Sequence, residues 1–326
     1  MNQAAEWPTR TSIGVAQYSF PGSPYLRSSL GFLEYCFSLG AGGVQVELDS
    51  LDPDYLAKLR RRTAELRMYL EVIVELPQGG AGDFERHVMA ARQAGAECLR
   101  AHCLLGRRYE NFTNLDEWRA FAAESHRRLA LAVPILEKHQ LALGIENHKD
   151  WTADEMLALL VRYNSEYLGV CLDTGNNLAL LDDPAEAIRK LAPHAVTTHF
   201  KDVAAKEYTE GFLLSEVPLG RGLLDLAWAI ECIRQARPRA RLNLEMITRD
   251  PLRVPCLTDQ YWVTFPERGR EDLARTLALV RTHPPAEPLP YVSGLEETAR
   301  RKQEEDNVKQ CLAYARDKLG LRAIRN

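Results

Sequence analysis

The fold is decided by residues 142–200, which read ALGIENHKDWTADEMLALLVRYNSEYLGVCLDTGNNLALLDDPAEAIRKLAPHAVTTHF. Short apolar runs alternate here with segments of helical character. The first helical segment opens with a capping box of Thr152 and Glu155, and the second opens with Asp183 before a proline. The apolar runs are 142–147, 168–173 and 195–200. Nearly continuous apolar runs are typical of strands buried on both faces of a parallel sheet, so this stretch predicts consecutive βαβ units.

The same unit recurs from residue 13 to about residue 283, each time as a strand candidate, a loop and an amphipathic helical stretch. The strand candidates are 13–19, 44–48, 69–76, 98–104, 142–147, 168–173, 195–200 and 242–247. Eight such units are typical of a closed (β/α)₈, or TIM, barrel of the α/β class. An open doubly wound sheet is the alternative, but no GxGxxG motif follows the first strand.

Two segments lie outside this repeat. Residues 248–269 form a long loop after the eighth strand, and its aromatic residues Trp262 and Phe265 either cover a bound sugar or pack the loop itself. Residues 284–326 begin with a proline-rich hinge and continue as a charged helix. We therefore predict a catalytic barrel domain of residues 1–283 and a C-terminal helical extension of residues 284–326. We expect the extension to pack either on the barrel or on a partner subunit. In the second case the protein would be a homo-oligomer.

Composition narrows the class of protein. The chain has 326 residues, of which 46% are hydrophobic and 26% charged, as in soluble globular proteins. No apolar run is long enough to span a bilayer, and a net charge of −4 without a basic stripe argues against a nucleic-acid partner. The seven cysteines show no paired spacing, and the N-terminal residues lack the order of a secretory signal. We expect a cytoplasmic protein with reduced thiols and no membrane partner.

The last four strands each carry an acidic or imidazole side chain near their carboxyl end. In a parallel barrel these ends meet at one mouth, where active sites lie. Such side chains are costly to bury in apolar strands unless they are paired or bind a metal. A single one is more often a capping or salt-bridged residue, but four in successive strands indicate a metal site. They are Glu146, Asp173, His199 and Glu245.

Three carboxylates and one imidazole form an oxygen-rich ligand set. Such a set suits Mn²⁺, the ion we expect, with Mg²⁺, Co²⁺ and Zn²⁺ as alternatives. Three carboxylates around a doubly charged ion also leave a negative excess. Counted on the ligands alone, this excess favours a neutral polyol or ketone over a polyphosphate as the substrate.

Five segments carry a family resemblance that covers residues 13–283. They are IENH (145–148), CLDTGN (171–176), THFKD (198–202), VPLGRG (217–222) and NLEMI (243–247). Together they resemble the xylose-isomerase-like TIM barrel superfamily, and within it most closely the tagatose epimerase, sugar phosphate isomerase/epimerase and inosose dehydratase branch.

The resemblance implies roles for individual residues. Glu146, Asp173, His199 and Glu245 match the family's metal ligands. In the epimerases the first and last of these, Glu146 and Glu245, also move protons and are therefore the expected catalytic residues. The implied substrate contacts are His148, Asn176 and Lys201, and His102 at the end of the fourth strand is a further candidate.

The resemblance favours a divalent-metal-dependent isomerase or epimerase that acts on a keto sugar or related polyol through an enediolate intermediate. A metal-dependent lyase of a keto sugar or keto sugar acid (a decarboxylase, dehydratase or eliminase) is the alternative. Two departures from the epimerase pattern give the alternative weight. Asn176 stands where several epimerases have His, and Ser215-Glu216 stand where many have Arg. Either way, the expected partner is a small carbohydrate.

Other functions have less support. An abasic-site endonuclease, an activity of the same superfamily, needs a histidine-rich trinuclear site and a basic groove. A barrel that only binds a carbohydrate would not turn it over. No GxSxG motif is present for nucleophilic catalysis. The segment Gly220-Arg221-Gly222, before the helix predicted from Asp225, leaves a phosphate-binding loop open.

Overall fold

Eight parallel strands close into a barrel in the computed structural model, which describes residues 10–23 and 27–323. They are β1 (Gly14–Ala16), β2 (Gly43–Glu47), β3 (Tyr69–Ile73), β4 (Leu99–Ala101), β5 (Leu143–Glu146), β6 (Leu168–Asp173), β7 (Ala195–Phe200) and β10 (Arg241–Leu244). The sheet closes where β10 pairs with β1, with Gly14 opposite Asn243. The predicted (β/α)₈ barrel is therefore confirmed.

Seven helices return the chain between consecutive barrel strands. They are α1 (Ser29–Ser38), α2 (Pro53–Glu65), α3 (Gly82–Ala94), α5 (Leu115–His139), α6 (Ala153–Tyr163), α7 (Pro184–Leu191) and α8 (Leu226–Ala236). The predicted caps are present, because Thr152 and Glu155 form a capping box on α6 and Asp183 caps α7. One turn, α4 (Arg108–Asn111), interrupts the loop between β4 and α5. None of the described helices has both the length and the apolar character that a bilayer crossing requires.

The eighth helix of the ring comes from the end of the chain. Helix α11 (Glu297–Asp317) buries Val308, Cys311 and Leu312 in the same apolar core as the barrel strands. Its Glu305 accepts a 2.7 Å hydrogen bond from Tyr35 on α1. Helix α10 (Arg270–Thr282), which follows β10 more closely in sequence, packs in a different apolar cluster. Helix α11 thus lies on this chain's own barrel, while the division of the chain at residues 283/284 stays a prediction.

A small antiparallel sheet, not predicted from the sequence, is inserted beside the barrel mouth. Its strands are β8 (Asp202–Tyr208), β9 (Gly211–Val217) and β11 (Leu252–Val254). Strands β8 and β9 form a hairpin between β7 and α8, and β11 comes from the long loop after β10. The hairpin thereby places residues 202 and 216, at the barrel ends of its two strands, close to the ends of β7 and β10.

The long loop after β10 packs against residues that follow β4. The guanidinium of Arg108 lies between the rings of Trp118 and Phe265, at 3.6 and 4.2 Å from their centroids. Trp262 donates a 3.0 Å hydrogen bond to the carbonyl of Cys256, within the loop. One further turn, α9 (Asp259–Trp262), places Tyr261 in the same apolar cluster as Phe265. The described contacts of Trp262 and Phe265 are therefore those of loop packing.

Candidate metal centre and active site

The four side chains expected to bind a metal converge at the carboxyl end of the barrel. Glu146 ends β5, Asp173 ends β6 opposite His199 on β7, and Glu245 directly follows β10. One possible ligand atom from each of these residues lies within 4.8 Å of every other, and all four residues are buried. The barrel therefore brings together a candidate metal centre from residues almost 100 positions apart in sequence.

A chain of polar side chains inside the barrel orients His199. The amide nitrogen of Gln45 donates to Glu71 at 3.0 Å, so its oxygen is turned towards His199 and accepts from Nε2 at 2.6 Å. The Nδ1 atom of His199 is thus directed at the carboxylates. It lies 3.1 Å from Glu245 Oε1 and 3.3 Å from Glu146 Oε2. Burial raises the pKa of Glu71, which is consistent with its place deep in the barrel.

Among the described residues, the buried His199 Nδ1 atom has no hydrogen-bond partner. The neighbouring Asp173 Oδ2 forms an ion pair with Lys201 Nζ at 2.8 Å. Because buried polar atoms are normally paired, an unpaired imidazole nitrogen directed at three carboxylates fits a divalent cation. The residues present therefore suit the metal that the sequence predicts.

Cationic side chains surround the carboxylates. Arg100 on β4 pairs with Glu146, and Lys201 pairs with Glu245. Burial alone would lower the pKa of Lys201, but the carboxylates of Asp173 and Glu245 raise it. Burial alone would likewise raise the pKa of Glu245, but His199 and Lys201 hold it well below its usual range. Both side chains are therefore charged at neutral pH.

The inserted hairpin adds a fourth buried carboxylate. Glu216, on β9, accepts hydrogen bonds from Arg249 Nε at 3.1 Å and Arg249 Nη2 at 2.5 Å. Burial would raise its pKa, but Arg249, Lys201 and Lys149 lower it to about 2. Glu216 therefore remains ionised, and Arg249 is largely engaged by it.

The expected substrate contacts lie around this centre. Asn176 is buried, and its amide nitrogen donates to Glu146 Oε1 at 3.0 Å. Burial and Arg100 lower the pKa of His102 to about 3, and its Nδ1 accepts from Arg100 at 3.0 Å. Burial also lowers the pKa of His148, whose Nδ1 donates to the carbonyl of Gly106 at 3.2 Å. Both imidazoles are thus neutral hydrogen-bonding groups, and the substrate roles of these residues stay predictions.

A cavity of about 610 Å³ opens over the first four barrel strands. Tyr18 and His102 line it, and both contact Arg100, the partner of Glu146. Glu47, which ends β2, and Glu75, two residues after β3, line it too. Its volume lies within the usual range for a small-molecule site. None of the four candidate ligands lines it, and Arg100 connects its lining to Glu146.

The glycine loop considered for phosphate binding serves another purpose. The backbone amides of Gly220 and Gly222 each donate a 2.9 Å hydrogen bond to Asp202 Oδ2. A Cβ on Gly222 would also clash with the same carboxylate. These amides are engaged within the protein, so the phosphate-binding interpretation of residues 220–222 was wrong.

Five residues of the centre were missed from the sequence. They are Gln45, Arg100, Lys149, Glu216 and Arg249. Gln45 and Arg100 interrupt apolar strands in the same way as the candidate metal ligands do, so the same signal could have found them. The other three carry no such signal, because they lie in segments where charged residues are ordinary.

Replacing Gln45 with Leu is expected to raise the Kd for Mn²⁺ about 10- to 100-fold. The reason is that partners of metal-binding histidines fix the tautomer and the ring orientation. Titration followed by the electron paramagnetic resonance signal of free Mn²⁺ measures the effect. Gln93→Leu, at an exposed position on α3, is the matched control. Unchanged Mn²⁺ affinity in the Gln45 variant would contradict the proposed orientation of His199.

The comparisons with known proteins agree with this geometry. Residues 33–283 match the family model of the xylose isomerase-like TIM barrel, and the chain therefore belongs to that family. It is 30% identical over 226 residues to a 3-oxo-isoapionate decarboxylase of Pectobacterium atrosepticum. The matched region covers 66% of this chain and 78% of that protein.

Solved structures share the fold at lower identity. An L-ribulose 3-epimerase is similar with a TM-score of 0.56 at 18% identity, over 96% of this chain and 98% of that one. A xylose isomerase-like TIM barrel protein of Mycobacterium smegmatis, in complex with magnesium, has a TM-score of 0.55 at 16% identity, over 85% of this chain and 100% of that one. The family resemblance inferred from the five segments is thus confirmed.

Proposed function

We propose that this chain is a divalent-metal-dependent lyase that releases carbon dioxide from a keto sugar acid. The balance of charge at the centre carries the proposal. The carboxylates are Glu146, Asp173, Glu216 and Glu245, and the cations are Arg100, Lys149, Lys201 and Arg249. Because the two sets are equal in number, a doubly charged ion leaves the site with a positive excess, which is costly to bury and favours an anionic substrate.

The expectation of a neutral substrate was based on the charges of the four candidate metal ligands alone. The surrounding Lys and Arg residues reverse the sign of that argument. The decarboxylase of Pectobacterium atrosepticum, whose named substrate is a keto acid, supports the same conclusion.

The side chains divide the work of such a reaction. Glu146, Asp173, His199 and Glu245 would hold the cation, for which we propose Mn²⁺. A bound divalent ion supplies electrostatic stabilisation to negative charge that develops on a keto oxygen. Lys201 adds a fixed positive charge beside it, and Asn176 holds Glu146 in place. Neutral His102 and His148 can bind hydroxyl groups of a small carbohydrate.

An isomerase or epimerase, favoured from the sequence, is the second candidate. Glu146 and Glu245 both lie near His199 Nδ1, at 3.3 and 3.1 Å, so two carboxylates are available at one centre. One could remove a proton beside a ketone and the other return it, through an enediolate. The similarity in fold to an L-ribulose 3-epimerase is compatible with this chemistry.

One experiment separates the two candidates. The protein, loaded in turn with Mn²⁺, Mg²⁺, Co²⁺ and Zn²⁺, is incubated in D₂O with a panel of keto sugar acids and neutral ketoses. We expect carbon dioxide from a keto acid and one deuterium at the carbon that lost it, with the highest rate for Mn²⁺. Epimerised or isomerised neutral ketoses, without carbon dioxide from any acid, would move the assignment to the isomerase.

A further inference from the structure

One buried cation beside the metal centre lacks an anionic partner. Lys149, three residues beyond the end of β5 at Glu146, is only 2% exposed. Among residues 10–23 and 27–323, no carboxylate lies within 4.0 Å of its ammonium group, whereas Arg100, Lys201 and Arg249 each have at least one. Burying an unpaired charge is costly, so a buried lysine in this state needs a functional explanation.

Lys149 is tied to the metal centre through one amide. Its Nζ donates to Asn176 Oδ1, which also lies 3.4 Å from Lys201 Nζ. The other end of the same amide donates to Glu146. Asn176 therefore links the ammonium of Lys149 to the candidate ligand Glu146. On this side of the centre, Glu216 and Arg249 already neutralise each other.

We propose that Lys149 binds the carboxylate of the substrate and protonates the carbon from which that carboxylate departs. This inference rests on the proposed lyase function. The C–C bond to the carboxylate breaks, carbon dioxide leaves, and the bonding electron pair forms the enolate of the keto group. Lys149 then gives one proton from Nζ to the carbon, which restores the ketone, and water returns a proton to the amine. No oxidant or reductant is required.

The electrostatic surroundings suit this role. Burial lowers the pKa of Lys149 to about 7, and the neighbouring charges of Lys201 and Arg249 act in the same direction. An amine with a pKa near neutrality can both carry and release a proton at physiological pH. The pKa of Lys201 is shifted in the opposite direction, upwards, by its carboxylate partners. The two lysines at Asn176 thus differ in function, with Lys201 permanently charged and Lys149 able to titrate.

Ligand binding tests the recognition step without relying on turnover. The probes are stable pairs of an aldonate and its alditol, namely threonate with threitol, erythronate with erythritol and gluconate with glucitol, titrated calorimetrically into the Mn²⁺-loaded protein. We expect the wild type to bind at least one aldonate about tenfold or more tightly than its alditol, because the aldonate supplies the missing anion. Lys149→Gln should lose that preference and keep its alditol affinity. Lys138→Gln, an exposed lysine on α5, is the matched control.

The outcomes separate this inference from the proposed function. Absence of an aldonate preference in the wild type, or its persistence in Lys149→Gln, would overturn the role of Lys149. A preference that depends on Lys149 in a protein releasing no carbon dioxide would support the anion site and count against the lyase. With an active lyase, Lys149→Gln should also lower kcat at least about 100-fold.

Thermal stability distinguishes a substrate-binding lysine from a structural one. In the metal-free protein, Lys149→Met removes an unpaired buried charge and is expected to raise Tm by about 2–4 °C or more. A stabilising variant that impairs function is the usual signature of a residue kept for activity. An unchanged or lower Tm would mean that the ammonium stabilises the fold, which contradicts the proposal.

Discussion

Replacing Glu245 with Gln is expected to raise the Kd for Mn²⁺ at least about 100-fold and to lower turnover at least about 1,000-fold. Altering a hydrogen-bond partner of a metal ligand lowers metal affinity by up to about 100-fold, and losing a ligand itself should cost at least as much. The expected loss of turnover corresponds to about 4 kcal/mol of transition-state stabilisation. Gln retains the shape of the side chain but removes its charge. The loss also leaves Lys201, which pairs with Glu245, with one carboxylate partner fewer.

A buried carboxylate away from the site provides the control for that variant. Glu304, on α11, is 1% exposed, and burial raises its pKa. Glu304→Gln should therefore keep both metal affinity and turnover. Free-Mn²⁺ titration and the carbon dioxide assay measure both variants. If the Glu245 variant bound Mn²⁺ like the wild type, Glu245 would not be a ligand.

Removing the metal is expected to abolish turnover and lower Tm by about 5–11 °C relative to protein saturated with Mn²⁺. A ligand present at 100 times its Kd stabilises a folded protein by about 2.7 kcal/mol, and each kcal/mol shifts the Tm of a protein larger than 150 residues by about 2–4 °C. Dialysis against a chelator, followed by calorimetry with and without added Mn²⁺, measures the shift.

The same titration on Glu245→Gln supplies the comparison. That variant should gain little or no stability from Mn²⁺ at the concentration that saturates the wild type. An equal gain in both proteins would place the stabilising ion elsewhere, and no gain in either would remove the metal from the centre altogether.

Most of the barrel could be predicted because its signals are local. The strand containing Val170 and Leu172 is buried on both faces, so its run of apolar residues is unmistakable. The caps at Thr152 and Asp183 are set by residues a few positions apart. The hairpin of β8 and β9 was missed because β8 begins directly after β7. In a barrel a loop normally follows each strand, so the residues of β8 were interpreted as that loop.

The convergence of the four candidate ligands could be predicted for the same reason, whereas the balance of charge could not. Glu146 and Glu245 are conspicuous because they interrupt apolar strands. Glu216 and Arg249 are 33 residues apart and meet only because β9 folds back onto the barrel mouth. The sign of the site's charge depends on such long-range pairs, and for that reason the four candidate ligands alone could not indicate it.

The origin of the last ring helix has a consequence for biosynthesis. The final barrel strand is complete at Leu244, but the helix that covers the neighbouring wall does not begin until Glu297. A ribosome must therefore add more than 50 residues while an apolar seam on the nascent barrel lies open. During that interval the loop after β10 and the small sheet can fold, but Cys311 and Leu312 cannot yet shield the seam, so late synthesis is when this protein is most exposed to aggregation.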